Sequence, residues 1–339
     1  MNRFLQDILD QPSELRHVLN YSLNEQSGNI RKAASMIKES ERVVLTSMGS
    51  AIFSLMPMQS LLSKLHPNCQ IIETSELLVN NPFPEMTLYI IMSRSGESGE
   101  IAEFAKILKS GNHDLIAITM TPESTLANNA VLTIHDPASY DGFICTKAYT
   151  SMALQGLLVA SQLEEGITGN QLHELHEYFD WMERNKLILL DKITNSHVLQ
   201  KPAGIYFLSH GPGLAIARAG QLYTEEAARI ISSNSSFGLF HHGPVEQIDE
   251  RFNGVWIDLD PDERTHELFE EANAKNGNLL VVSIEGDFYQ TEFLLPKHSL
   301  STEYSCIGAA MIVQMVAYQI SVSLGLDPGS MRYCNWVIK

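Results

Sequence analysis

Cysteine is scarce in this sequence. Four occur in 339 residues, at Cys69, Cys145, Cys306 and Cys334. Their spacing supports neither a disulfide framework nor a zinc site, so reduced thiols in a cytoplasmic protein are expected. Basic charge is short as well. Lys and Arg number 23 against 40 Asp and Glu, for a net charge of -17. That balance disfavours nucleic acid or an anionic membrane as a partner through bulk electrostatics. Long apolar runs are missing. The stretch 307–322 is interrupted by Gln314 and Gln319 and falls short of the roughly 20 residues that span a bilayer; it reads as a buried helix. The run Met1 to Asp7 lacks the apolar core of a signal peptide. No cluster of ligating side chains stands out, so no metal and no cofactor is expected.

What is present is a large core. Hydrophobic residues make up 44% of the chain and charged residues 19%, a composition of folded rather than disordered protein. Residues 4–38 read as two helices, with Gln11-Pro12-Ser13 breaking the pattern between them. Short apolar or β-branched runs follow at 42–47, 69–74, 87–92, 115–119 and 131–134, separated by helical stretches such as 52–65 and 99–109. The run 87–92 is nearly all apolar, as a strand covered on both faces should be. The plan repeats more loosely in the second half. Strands are expected at 204–209, 254–259 and 278–283, with a helix over 214–231 and a charged connecting helix over 168–194. Alternation of this kind predicts an α/β fold of two tandem doubly wound parallel-sheet, flavodoxin-like units with helices on both faces. The boundary is placed between 1–190 and 191–339.

The loop Ser93-Arg94-Ser95-Gly96-Glu97-Ser98 stands directly after the apolar run 87–92. A turn from strand to helix presents unpaired backbone N–H groups and the positive end of the helix dipole. Ser93, Ser95 and Ser98 add hydroxyls, and Gly96 permits positive φ or a close approach. One serine would satisfy an ordinary helix cap; three around a glycine exceed it, which points to a phosphate held by Ser93, Arg94, Ser95 and Ser98. The loop is neither a Walker loop nor a dinucleotide fingerprint. The second half has no copy of it, and the corresponding place is read at Ser283-Ile284-Glu285-Gly286-Asp287. One phosphate site per chain is therefore expected.

At this point an ordered pattern is recognisable. Phe4 to Pro12, Gly49-Ser50-Ala51 with Ser54, Ser93 to Ser98, Ser124 to Ala127, Thr146 to Thr150, Ala219 to Glu226 and His241-His242-Gly243-Pro244 resemble, in that order, motifs of the double-SIS (sugar isomerase) family. That family includes the isomerase half of glucosamine–fructose-6-phosphate aminotransferase and SIS-type fructosamine-6-phosphate deglycases. The resemblance implies a phosphosugar isomerase or deaminase acting on an amino-sugar phosphate by proton transfer between C1 and C2. It implies Glu226 as general base and His242 as the group that assists ring opening, often from a neighbouring subunit. Gly49, Ser50, Ala51, Phe143, Cys145 and Thr146 would line the sugar. A homodimer or larger homo-oligomer is implied too.

The chain departs from the family in its tail. Asp327-Pro328-Gly329-Ser330-Met331-Arg332-Tyr333 is closer to the deglycase form, and by alignment Trp336 stands where the family has a lysine. Read alone, Glu225 and Glu226 are also consistent with a solvated helix surface, and His241 and His242 with ordinary loop histidines. Two further functions stay open: a sugar-phosphate-binding regulator without turnover, and an aldose–ketose isomerase of a phosphosugar without nitrogen.

Overall fold

The computed structural model describes residues 2–80, 84, 86–286 and 288–333. Cys334, Trp336 and Asp287 lie outside them. Among the described residues the strands form two five-stranded sheets. The first contains β1 (Arg42–Thr46), β2 (Cys69–Ile71), β3 (Thr87–Ser93), β4 (Asp114–Thr119) and β5 (Leu132–His135). Its order is β2-β1-β3-β4-β5 and every pairing is parallel. The second contains β6 (Gly204–Ser209), β7 (Ile231–Ser236), β8 (Asn253–Asp258), β9 (Asn278–Ile284) and β10 (Phe293–Leu295). Its order, β7-β6-β8-β9-β10, repeats the first sheet position for position, again all parallel. Both have the flavodoxin-like order, with the crevice at the switch point beside the first strand.

In the first sheet β3 is buried at every position, because helices cover both faces. Val44, Tyr89 and Ile91 pack with Phe104, Ala105 and Leu108 of helix Gly99–Ser110. On the other face helix Lys147–Ser161 approaches Met92 so closely that a Cβ on Gly156 would lie 2.8 Å from Met92 Cε. The chain divides into two compact units. One is formed mainly by Ser13–Asp141 and Lys147–His173 and holds the first sheet. The other is formed by Met1–Pro12, Gly142–Thr146 and Glu174–Met331 and holds the second.

Several local expectations are corrected. Residues 3–24 form one helix, Arg3–Asn24, which runs straight through Pro12. A proline inside a helix leaves the carbonyl four residues earlier without its N–H. Here the Gln11 side chain fills that gap, donating from Nε2 to the Ile8 carbonyl at 2.9 Å. The helix expected to reach residue 231 ends at Ala227, and Ile231 starts β7. The Ile-Ser-Ser-Asn-Ser-Ser run of β7 has no apolar alternation, and it forms an edge strand whose ladder is satisfied on one side by β6. By strand order the counterpart of the serine-rich loop follows β8, at Leu259 to Asp262, and not β9 at Ser283. The run 307–322 is, as expected, a core helix. Thr302–Ser323 is long and apolar enough to cross a membrane by length and composition, but 89% of its most apolar window is buried within the fold.

Candidate functional site

In the first unit, the turns after β1 and β3 flank the switch point of the sheet. Ser47 Oγ donates to the Met92 carbonyl at 2.5 Å and ties the two strand ends together. Gly49 follows at φ +61, a conformation that favours glycine, and the space where its Cβ would stand is open. It precedes helix Ser50–Ser54, on which Ser50 is half-buried and Ala51 buried.

The Ser93–Ser98 turn is built tightly. Gly96 has φ +64, and a Cβ there would fall 2.2 Å from Ser124 Oγ. The Gly96 N–H donates to Ser93 Oγ at 3.0 Å, and the Glu97 N–H to Ser95 Oγ at 3.2 Å. A serine oxygen that accepts from the backbone keeps its own O–H to donate. Ser93 is buried and shapes the turn, while Ser95 and Ser98 are half-buried. Ser98 occupies the N-cap position of helix Gly99–Ser110 but its side chain makes no capping hydrogen bond. The start of a helix of 12 residues, with its dipole, therefore faces the turn that holds these hydroxyls.

The turn is fixed from outside by Thr125, which lies in the Ser124–Ala127 motif, and by Thr121 and Tyr140, which the sequence did not single out. Glu97 accepts the Thr125 N–H at 2.5 Å and the Thr125 hydroxyl at 3.0 Å. The Arg94 carbonyl accepts from Thr121 Oγ1 and Tyr140 OH, each at 3.2 Å. The Arg94 guanidinium lies over the Tyr140 ring, 5.9 Å from its centroid. Glu97 was visible as part of the motif, but its partner stands 28 positions away. Nothing in the sequence marked Tyr140. Behind the Thr146-Lys147 motif, buried Asp141 accepts the N–H groups of Lys147 and Ala148 at 2.8 and 3.0 Å, capping helix Lys147–Ser161.

The remaining predicted residues belong to the second unit. Phe143 is exposed, Cys145 half-buried and Thr146 buried. The Cys145 carbonyl accepts from Tyr223 OH at 2.8 Å. Tyr223 stands three residues before Glu226 on helix Leu214–Ala227. Glu226 is half-buried, whereas Glu225 is exposed and accepts from Gln221 at 2.8 Å. The two histidines also differ. His241 Nδ1 lies 3.6 Å from Glu271 Oε2, and burial holds its pKa below the usual histidine value. His242 ends helix Phe237–His241 and is exposed.

At the switch point of the second sheet, the end of β6 carries His210 and the end of β8 carries Asp258. His210 Nε2 is 2.9 Å from Asp258 Oδ1. Asp258 is fully buried, and its other oxygen accepts from Tyr289 OH at 2.7 Å. The hydrogen bond to Asp258 raises the His210 pKa against the opposing effect of burial. Where the first unit offers hydroxyls, the second offers Asp258, Asp260 and Asp262. Among the described residues no group of three or more His, Cys, Asp or Glu side chains is placed to hold a metal.

Two doubly wound sheets of one strand order, with a hydroxyl-rich turn at one carboxyl edge, define the class as tandem doubly wound α/β units. The chain carries a SIS domain: residues 36–161 match that family's profile. The glutamine–fructose-6-phosphate aminotransferase of Methanocaldococcus jannaschii is 26% identical over 332 residues, which are 95% of this chain but 30% of that protein. The chain thus spans less than a third of this relative. Among solved structures, the C-terminal domain of glucosamine-fructose-6-phosphate aminotransferase from Francisella tularensis superposes with a TM-score of 0.82 at 20% identity, covering 97% of both chains. A glucosamine-6-phosphate deaminase from Thermotoga maritima gives 0.81 at 19% identity over 99% of both. The two-unit architecture read from the sequence is the fold of these proteins.

Proposed function

We propose that the chain binds a phosphorylated amino sugar, of the glucosamine-6-phosphate or fructosamine-6-phosphate class, and moves a proton between its C1 and C2. The observation that carries this reading is the Ser93–Ser98 turn. Its glycine is required by both φ and contact, its serine hydroxyls keep their protons, and its N-cap serine is not spent on capping its own helix. Such a turn suits a phosphate on an otherwise acidic protein, because it acts at contact distance. The assignment of Glu226 as base and His242 as ring-opening group rests on the motif resemblance. The chemistry suits the residue types: proton abstraction beside a carbonyl uses a carboxylate, and ring opening uses an acid–base near neutral pH. The same resemblance supports a homo-oligomer, and the sparse thiols support a cytoplasmic setting.

A second reading, a phosphosugar-binding regulator without turnover, is favoured by Trp336, because a neutral indole supplies neither the charge nor the base of the family's lysine. Incubation of the full chain with fructosamine-6-phosphate, glucosamine-6-phosphate and fructose-6-phosphate separates the readings. Turnover of the amino sugars that disappears in Glu226→Gln, with binding retained, supports the enzyme. Turnover intact in Glu226→Gln removes the proposed base. A rise in melting temperature without turnover supports the regulator. No effect of any phosphosugar on melting or on product formation removes both.

A further inference from the structure

The loop Gly142–Thr146 is held from behind by one helix through two residues four apart. Asp7 and Gln11 stand on one face of helix Arg3–Asn24, and both are fully buried. Asp7 Oδ2 accepts the Gly142 N–H at 2.6 Å. Gln11 reaches the same loop through a relay. Its Nε2 donates one hydrogen to the Ile8 carbonyl freed by Pro12, and the other to Gln314 Oε1 at 2.8 Å. Gln314 Nε2 donates to Tyr223 OH at 3.2 Å, and Tyr223 OH donates to the Cys145 carbonyl at 2.8 Å. Gln11 donates at the head of this relay, and Gln314 and Tyr223 each accept on one side and donate on the other, so the relay has a single consistent direction. Gln11, Gln314 and Tyr223 are all 0% exposed. A buried side-chain network stabilises chiefly when every member is satisfied, so this one holds the loop in one conformation.

We infer that Asp7, Gln11, Gln314 and Tyr223 are positioning residues that set the loop Gly142–Thr146, and with it Cys145, for the sugar of the bound phosphosugar. The inference rests on the proposed function for the ligand. The relay itself is independent of that reading. Tyr223 belongs to the helix that carries Glu226, so one hydroxyl couples the height of the loop to that helix.

The test compares the full-length wild type with Tyr223→Phe, Asp7→Ala and Asp7→Asn, by two readouts. The first is the affinity for glucosamine-6-phosphate against that for inorganic phosphate, with KM and kcat where turnover is found. The second is the rate of iodoacetamide modification of Cys145, followed by peptide mass spectrometry. Cys145 is half-buried, whereas Cys69 and Cys306 are buried. Tyr223→Phe and Asp7→Ala are expected to weaken glucosamine-6-phosphate binding roughly five- to tenfold, the worth of one or two hydrogen bonds, with inorganic phosphate unchanged. Alkylation of Cys145 should quicken roughly threefold in both. Asp7→Asn keeps an acceptor oxygen and should recover most of the loss. Equal losses for phosphosugar and inorganic phosphate, or Cys145 reactivity at the wild-type rate in both variants, overturn the inference. If the wild type binds inorganic phosphate but no phosphosugar, the functional reading falls and the alkylation comparison alone decides the positioning role.

Discussion

Glu97 receives two hydrogen bonds from one residue, Thr125, through its backbone N–H and its hydroxyl. A carboxylate inside the Ser93–Ser98 turn is thus engaged by Thr125 and anchors the turn to the next helix start. Hydrogen bonds to a charged acceptor are stronger than neutral ones. Glu97→Ala should cost about 1.5–3 kcal/mol of stability and, on the proposed function, weaken phosphate binding by loosening the turn. Chemical unfolding and titration with inorganic phosphate check both. A variant with undiminished phosphate affinity would show that the turn is rigid without its anchor.

Gly96 carries two separate constraints, and they can be pulled apart. Gly96→Ala faces the penalty of positive φ and the clash with Ser124, together about 2–3 kcal/mol. Ser124→Gly removes the clashing atoms and leaves the φ penalty. The double variant should therefore be more stable than the sum of the two single changes predicts. Simple additivity would place the whole cost in the backbone.

The His210–Asp258 pair predicts a pH dependence. Its hydrogen bond to Asp258 raises the His210 pKa in the folded state. That stabilisation is fully present below the ordinary histidine value of about 6.5 and fades as pH rises through the raised value. Burial pushes the Asp258 pKa up, but the hydrogen bonds from His210 and Tyr289 outweigh it and leave it lowered. This contribution is present above the ordinary aspartate range and lost as pH falls through the lowered value. His210→Gln should thus destabilise more at pH 6 than at pH 9, measured by denaturant unfolding at each pH. A penalty independent of pH would mean that the pair contributes nothing through charge.

Asp136 runs the other way. It is fully buried, and burial raises its pKa to about 7, although Ser151 Oγ donates to it at 2.5 Å. The folded protein then binds a proton that the unfolded chain has lost, so stability falls as pH climbs from the ordinary aspartate range to about 7. Asp136→Asn should gain stability over the wild type at pH 8 and gain less at pH 5. Thermal melting at the two pH values checks it.

The sheets were legible because seven of their strands are apolar or β-branched runs between turn residues, with Cys69–Ile71 a weaker eighth. β7 and β10 were not: the first is serine and asparagine at an edge, and the second is three residues long. Pro12 misled because a proline argues for a break unless something else takes the carbonyl, and the Gln11 side chain that does so looks ordinary in sequence. The tight serine–glycine turn at Ser93–Ser98 was legible since its chemistry is local. Its supports were not: Thr125 stood in a quoted motif but its bond to Glu97 did not show, and Tyr140 was unmarked, since both meet the turn only through the fold. The difference between His241 and His242 likewise needed burial, which adjacent positions in a sequence do not reveal.

Gln11 and Gln314 are 303 positions apart, and this has a consequence for synthesis. Gln11 emerges early, yet Gln314, which accepts from it, is made almost last. By then the segments Ser13–Asp141 and Lys147–His173 already carry all five strands of the first sheet. On the ribosome the Gln11 side chain must wait for this partner until the core helix Ser305–Ser323 arrives. Closing so long a loop is slow more than it is costly, so this buried amide pair forms late and its polar groups are open to mispairing until it does.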